Sequence, residues 1–214
     1  MASMRRDRAA AALVALAIGL SGGMARAADL DRGEDLYALC TACHGADASG
    51  NEMYLAPSLA GLEEWYLLAQ LDKFRTGLRG GHPDDLAGMR MRPMSLWLKS
   101  QDDVAAVVSY VASLPAVDPE PELEGGDAAN GEKLYALCSA CHQADGAGNQ
   151  ALNAPTLLHS SDWYLLTQLA NFKAGIRGGR PDDATGVQMR PMAMTLTDEQ
   201  AMKDVIAYIM TLGK

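Results

Sequence analysis

The chain has 214 residues, a formal charge of −9 at pH 7, and 49% hydrophobic but only 6% aromatic residues. An acidic balance of this size argues against nucleic acid or anionic lipid as a partner and favours a basic docking surface. The chain contains four cysteines, and their positions turn out to be the informative feature.

Residues 1–27 read as a secretory signal peptide. Arg5, Arg6 and Arg8 form a basic start, an apolar run follows from Ala9 to Leu20, and Ala25-Arg26-Ala27 supplies an A-x-A cleavage signal. The run is about 12 residues, short of the roughly 20 that a membrane-spanning helix needs, so an uncleaved anchor is the weaker reading. Cleavage after about Ala27 removes four arginines and one aspartate, and the formal charge falls from −9 to −12. The expected destination is the periplasm, where an oxidising environment tolerates the cysteines.

A first helix, with Asp29 as candidate N-cap, carries Tyr37-Ala38-Leu39 into Cys40-Thr41-Ala42-Cys43-His44. Leu67, Leu71, Phe74 and Leu78 recur at i, i+4, i+7 and i+11 and predict a second helix, with Gly77 placed to end it. Met91-Arg92-Pro93-Met94 is expected in a loop. A last helix opens at Ser100 and buries Val104, Val107, Val108 and Val111. Residues 117–126 are acidic and carry two prolines, which predicts an extended, solvated linker.

The helices, the pentad and the methionine segment then return at a constant offset of 98 residues without a gap, the linker standing between the copies. Cys40 pairs with Cys138, Trp65 with Trp163, Pro83 with Pro181, Met94 with Met192, and likewise Gly33 with Gly131, Tyr37 with Tyr135 and Tyr110 with Tyr208. Asp127 is the candidate cap of the repeated first helix, Leu165, Leu169, Phe172 and Ile176 repeat the second stripe, and Thr197-Asp198-Glu199-Gln200 is a capping-box pattern before Met202, Val205, Ile206 and Ile209. The expected organisation is all-α: a signal peptide (1–27), a first domain (28–116), a linker (117–126) and a second domain (127–214), each domain with about three helices.

Both pentads, the second being Cys138-Ser139-Ala140-Cys141-His142, have the C-x-x-C-H form, and together they hold every cysteine. This is the attachment signal for c-type haem: two thiols bond to the porphyrin and the histidine takes one axial position on the iron. A thioredoxin-like dithiol or half of a zinc site would also use C-x-x-C. Two complete pentads far apart suit two independent centres better than one shared ion. The expected cofactors are therefore two covalent haem c groups, bound through Cys40 and Cys43 and through Cys138 and Cys141, with His44 and His142 as axial ligands. A unit of under 100 residues with few aromatics would also depend on such a cofactor for its core.

The second axial ligand should have a partner 98 residues away. His82 aligns with Arg180 and His159 with Gly61, which leaves both as loop histidines. Among methionines, Met89 aligns with Val187 and Met194 with Leu96, so only Met91 with Met189 and Met94 with Met192 recur. A thioether opposite histidine suits haem iron and raises its potential, whereas a methionine in an apolar setting is ordinarily core filler. Two recurring methionines, in a chain that needs two ligands, favour ligation.

Taken together, Asp-x-x-x-Gly before the pentad, C-x-x-C-H-Gly at His44, Pro57-Ser58-Leu59-Ala60-Gly61 followed by Tyr66-Leu67-Leu68, and Met91-x-x-Met94 resemble the di-haem cytochromes c4, tandem fusions of two class I cytochrome c domains. The resemblance covers nearly all of the chain after residue 27. It implies that Met94 and Met192 are the ligands, that the Pro57 and Pro155 carbonyls orient the imidazoles, and that Gly33 and Tyr37 pack closely on Tyr110 and Leu114. The chain departs from the family at Gln143, where glycine is usual, and in a longer Arg79–Asp85 segment that looks more like the cytochrome c domain of some terminal oxidase subunits. Arg79, Arg177, Arg92 and Arg190 are candidates to neutralise haem propionates or else solvated surface residues. Trp65 and Trp163 are expected to pack against haem edge or core rather than relay electrons.

With both axial positions filled, no coordination site is left for a substrate, so the expected role is an electron carrier and not an enzyme. Its partners would be redox proteins: a quinol-oxidising complex or dehydrogenase as donor and a terminal oxidase or reductase as acceptor, with peripheral docking on a membrane complex and no small-molecule substrate. The alternative is a di-haem subunit or catalyst of a larger oxidoreductase.

Overall fold

The computed structural model describes residues 29–213; the expected signal peptide lies outside them. Among the described residues there are helices and no strands, with isolated bridges at Asn51 to Ala56 and Asn149 to Ala154. The first repeat contains α1 (29–37), α2 (Thr41–His44), α3 (Glu64–Thr76), α4 (Leu86–Trp97) and α5 (Gln101–Ser113). The second contains α6 (Ala128–His142), α7 (Asp162–Ala174), α8 (Ala184–Met194) and α9 (Glu199–Ile209). α6 is one continuous helix where the first repeat breaks between α1 and α2.

Capping follows local chemistry. Asp127 accepts from Ala129 N and Asn130 N, and Ser100 with Asp103 forms a reciprocal capping box. Asp29, the first described residue, is itself helical and so does not stand as the N-cap expected of it. α9 starts one residue later than expected: Asp198, not Thr197, is the cap, accepting from Ala201 N. Gly77 and Gly175 end α3 and α7 in the left-handed conformation, with φ of 77° in both, where a side chain is strained.

The helix between the second and last helices of each repeat was not expected. Met91 and Met94 lie on α4, and Met189 and Met192 on α8, rather than in loops. Pro93 and Pro191 sit inside these helices and lack the N–H that would bond back to residues 89 and 187, which is why the sequence reads as a break. Buried carboxylates hold the helices in place: Asp85 accepts from Gly88 N at 3.0 Å and Gly80 N at 2.8 Å, and Asp183 accepts from Gly186 N at 3.1 Å.

Each core is formed by first, second and last helices. Tyr37, Leu67, Val104, Val107, Val108 and Val111 cluster in one repeat, and Tyr135, Met202, Val205, Ile206 and Ile209 in the other. A Cβ on Gly33 would strike the Ala106 carbonyl and one on Gly131 the Asp204 carbonyl, so glycine sets the close crossing of first and last helices. Tyr37 and Tyr110 pack with ring centroids 5.6 Å apart, and Tyr135 and Tyr208 at 5.3 Å.

The segment joining the repeats has no helix and is mostly exposed, as expected, but it is also tied down at several points. Its Glu122 and Leu123 amides donate to the buried Asp162 carboxylate at 2.7 and 2.8 Å, and Asp118 bonds His159 Nδ1 at 2.7 Å. Val117 packs on the first core and Leu123 on the second.

Candidate haem sites

In each repeat the pentad closes a helix and a compact turn brings a proline carbonyl back against it. Asn51 N donates to Ala56 O at 2.7 Å and Asn149 N to Ala154 O at 2.6 Å, around short 3-10 turns at Glu52–Tyr54 and Gln150–Leu152. This places Pro57 O 2.9 Å from His44 Nδ1 and Pro155 O 2.8 Å from His142 Nδ1, the contact that the family resemblance implied. An imidazole donating from Nδ1 keeps its Nε2 lone pair for a metal and holds its ring orientation. Burial lowers the pKa of both imidazoles, partly opposed by the proline bond, so the neutral form that ligates iron is favoured.

Tyr37 and Tyr135 reinforce the turn after each pentad, donating to the carbonyls of Gly45 at 2.9 Å and Gln143 at 2.8 Å. Gly45 has φ 80° and ψ 160°, and Gln143, with φ 66° and ψ 163°, keeps that conformation although it is not glycine. Its side-chain amide donates to Gly148 O at 2.7 Å.

Cys138, Cys141, His142, Met189 and Met192 line a single cavity in the second repeat, whose remaining wall is largely apolar, with Leu165, Phe172 and Ile209 among its residues. Both recurring methionines of this repeat therefore reach the cavity. Burial and the neighbouring Cys43 push the Cys40 thiol up to about 11, and burial raises Cys138. Among the described residues no three His, Cys, Asp or Glu side chains gather as they would around a bare ion.

Residues of the first repeat complete the cavity of the second: Trp65, Tyr66, Gln70 and Lys73 of α3 lie along its wall. There the repeats meet through a polar cluster with twofold character. Arg79 donates to Gln70 at 2.9 Å and across the interface to Tyr164 and Gln168, both at 3.3 Å. Arg177 mirrors it, donating to Gln168 at 2.7 Å and across to Gln70 at 3.2 Å. Each guanidinium lies over a phenylalanine, Phe74 or Phe172, at 4.3 and 4.4 Å from the ring centre. Both are buried, which replaces the solvated reading for these two arginines, while Arg92 is exposed and Arg190 half-buried.

Arg79, Arg177 and Arg190 each retain a buried Nε without a partner. Buried donors of this kind suit the carboxylates of a large, otherwise apolar group, and the cavity carrying thiols, imidazole and thioethers suits its iron and vinyl groups. The residues therefore fit haem. His82 and His159 line neither site's ligand positions: His82 is exposed beside Asp84, and His159 ties down the linker. The residues that sequence reasoning missed are Gln70, Lys73, Gln168 and Asp183. Gln70 and Lys73 lie with Tyr66 on a polar line beside the stripe of Leu67, Leu71 and Phe74, a line repeated at Tyr164, Gln168 and Asn171, whereas Asp183 lies outside it at the start of α8.

The cytochrome c family model matches residues 30–115 and again residues 128–213. Over 201 residues the chain is 31% identical to cytochrome c4 of Azotobacter vinelandii, covering 90% of this chain and 91% of that one. It is 35% identical to a thiosulfate dehydrogenase electron acceptor of Thiomonas intermedia, covering 76% and 74% of the two chains. Among solved structures, reduced cytochrome c4 from Pseudomonas stutzeri superposes with a TM-score of 0.66 at 29% identity, covering 85% of this chain and 97% of that one. The chain thus belongs to the cytochrome c family, as a two-domain, two-haem electron-transfer protein of the cytochrome c4 kind.

Proposed function

We propose that the chain is an exported periplasmic carrier, trimmed after about Ala27, whose domains 28–116 and 127–214, joined by the linker 117–126, shuttle electrons between a quinol-oxidising complex or a dehydrogenase and a terminal oxidase or reductase. Cys40, Cys43, Cys138 and Cys141 form the thioether links, and His44 with Met94 and His142 with Met192 are the axial pairs. The observation that carries this reading is the commitment of both imidazole Nδ1 atoms to proline carbonyls, with Met192 in the same cavity as His142. Bound there, haem supplies a one-electron iron couple that needs no substrate to coordinate.

The chain's own residues do the rest. The proline carbonyls hold the imidazoles in register, the apolar walls exclude water, and the buried arginines offset negative charge at the domain boundary. Among the described residues no helix is long and apolar enough to cross a membrane, which suits a carrier that docks and leaves. Its acidity suits a basic partner surface, and such an encounter weakens as salt rises.

A relative that serves as electron acceptor for thiosulfate dehydrogenase favours a dehydrogenase as the donor, and it keeps open a second reading as a subunit of a larger oxidoreductase. Carbon monoxide added to the reduced protein separates carrier from catalyst. The carrier binds none at neutral pH, because both axial positions are taken. Rapid stoichiometric binding at one haem would instead mean that a methionine leaves and that a catalytic role is correct.

A further inference from the structure

The repeat-symmetric interface is broken by one buried ion pair. Lys73 projects from α3 of the first repeat into the second, where its Nζ lies 2.6 Å from Asp183 Oδ1 and also bonds Thr185 Oγ1. Both ends are buried, and Lys73 and Thr185 line the same cavity as Met192. Ninety-eight residues away the three positions are Asn171, Asp85 and Ala87. Asp85 is as buried as Asp183 and caps its methionine-bearing helix in the same way, yet it has no lysine. Each iron site thus has a buried carboxylate at the start of the helix that carries its methionine, and only the carboxylate of the second repeat is neutralised.

We propose that Lys73 is the residue that makes the two redox sites inequivalent, acting across the domain boundary to hold the second-repeat haem at a higher reduction potential than the first. A buried positive charge disfavours the ferric state, which carries one more positive charge than the ferrous, and low local polarity strengthens the effect. The other charges near the interface do not supply this difference: Glu63, whose counterpart is Ser161 and which accepts from Thr156 N of the second-repeat cavity at 3.1 Å, is a carboxylate and would lower the second couple rather than raise it. Arg79 with Arg177 and Arg75 with Lys173 are matched between repeats. The unmatched Arg90 and Arg180 are exposed, the latter paired with Asp182, and are screened by salt. An electron reaching the first-repeat iron therefore passes downhill: that iron is oxidised from ferrous to ferric as the second is reduced from ferric to ferrous. Lys73 touches neither ligand and is a positioning residue for charge.

The inference rests on two histidine–methionine sites, and its test keeps the two ideas separate. Potentials of the full haem-loaded protein are measured by redox titration, with the two couples assigned from haem methyl signals in proton NMR. Lys73→Gln is expected to lower the second couple's reduction equilibrium about tenfold, or ~59 mV for one electron, while the first couple stays in place. Lys73→Arg should retain the wild-type value, and Asn171→Lys combined with Ala87→Thr should raise the first couple by a similar factor. If Lys73→Gln lowers only the melting temperature and leaves both couples unmoved, Lys73 is merely a domain clamp and the proposal fails. Should Lys73→Gln not fold, the Asn171→Lys pair decides alone: no rise in the first couple overturns the proposal. Loss of the far-red sulfur-to-iron band in wild type would instead indict the ligand assignment.

Discussion

In the first repeat Arg32 of α1 pairs with Asp103 of α5. In the second repeat the place of Arg32 is taken by Asn130, and the acid has moved to Asp204, which accepts from Asn130 Nδ2 at 2.7 Å and from Asp127 N at 2.9 Å. The same crossing of first and last helices is fastened once by an ion pair and once by a hydrogen-bonded carboxylate. The glycine at the crossing and the proline carbonyl behind the histidine do not vary. Duplication has left free what can be exchanged for equivalent chemistry and kept what is set by close approach or by iron.

That contrast can be broken most severely at the invariant part. Alanine at Gly33 or Gly131 should cost about 1–3 kcal/mol through overpacking, with Gly131→Ala the worse because its added carbon meets the Asp204 carbonyl more closely. Thermal melting of the haem-loaded variants checks this; equal and negligible shifts would mean that the helices can slide apart.

The acid limb of stability sharpens the comparison of Asp183 with Asp85. Burial pushes the Asp183 carboxyl up, but the bond and charge of Lys73, the Gly186 amide and the Arg177 charge together outweigh it, and its net pKa lies below the ordinary 3.8. A carboxyl depressed on folding contributes stability above its unfolded pKa, and that contribution is lost as pH falls through the folded value. Lys73 stays charged throughout this range and does not titrate. Melting temperature should therefore fall between about pH 4 and pH 2 more steeply in wild type than in Lys73→Gln; parallel curves would deny the pair a role in holding the domains.

The smallest effect is expected at Gln143. Its backbone occupies the region that glycine holds at position 45, a conformation costing about 1–3 kcal/mol for other residues. Gln143→Gly should stabilise the second repeat by about 1 kcal/mol, since the lost bond to Gly148 offsets part of the relief. Calorimetry of the haem-loaded variant would record the shift, and a destabilised variant would mean that the side-chain bond dominates.

Much of this molecule was legible because its signals are local. Helical stripes, the helix start at Ser100 and the Gly77 stop each depend on residues within a few positions, and the 98-residue offset repeated the stripes and the stop; the capping box expected at Thr197–Gln200 instead forms at Ser100 and Asp103, with Asp198 alone capping α9. The methionine helices were hidden because the Arg-Pro at 92–93 reads as a break, although Asp85 is a local N-cap, accepting from Gly88 N three residues on, that the sequence also offered. The arginine–glutamine cluster and the Lys73 bridge join residues separated by about a hundred positions, which no periodicity connects. The proline–histidine bond was reached through family resemblance, since nothing in the spacing of residues 44 and 57 requires it.

The central claim is that each repeat holds one covalent haem between an imidazole and a thioether and passes electrons without exchanging ligands. A potentiometric titration of the purified protein, followed in the visible and far-red, tests it most directly. The account predicts uptake of two electrons by two haems, each showing the far-red sulfur-to-iron band when ferric, with one band lost in Met94→Ala and the other in Met192→Ala. A single haem, or full bands surviving both substitutions, would contradict it.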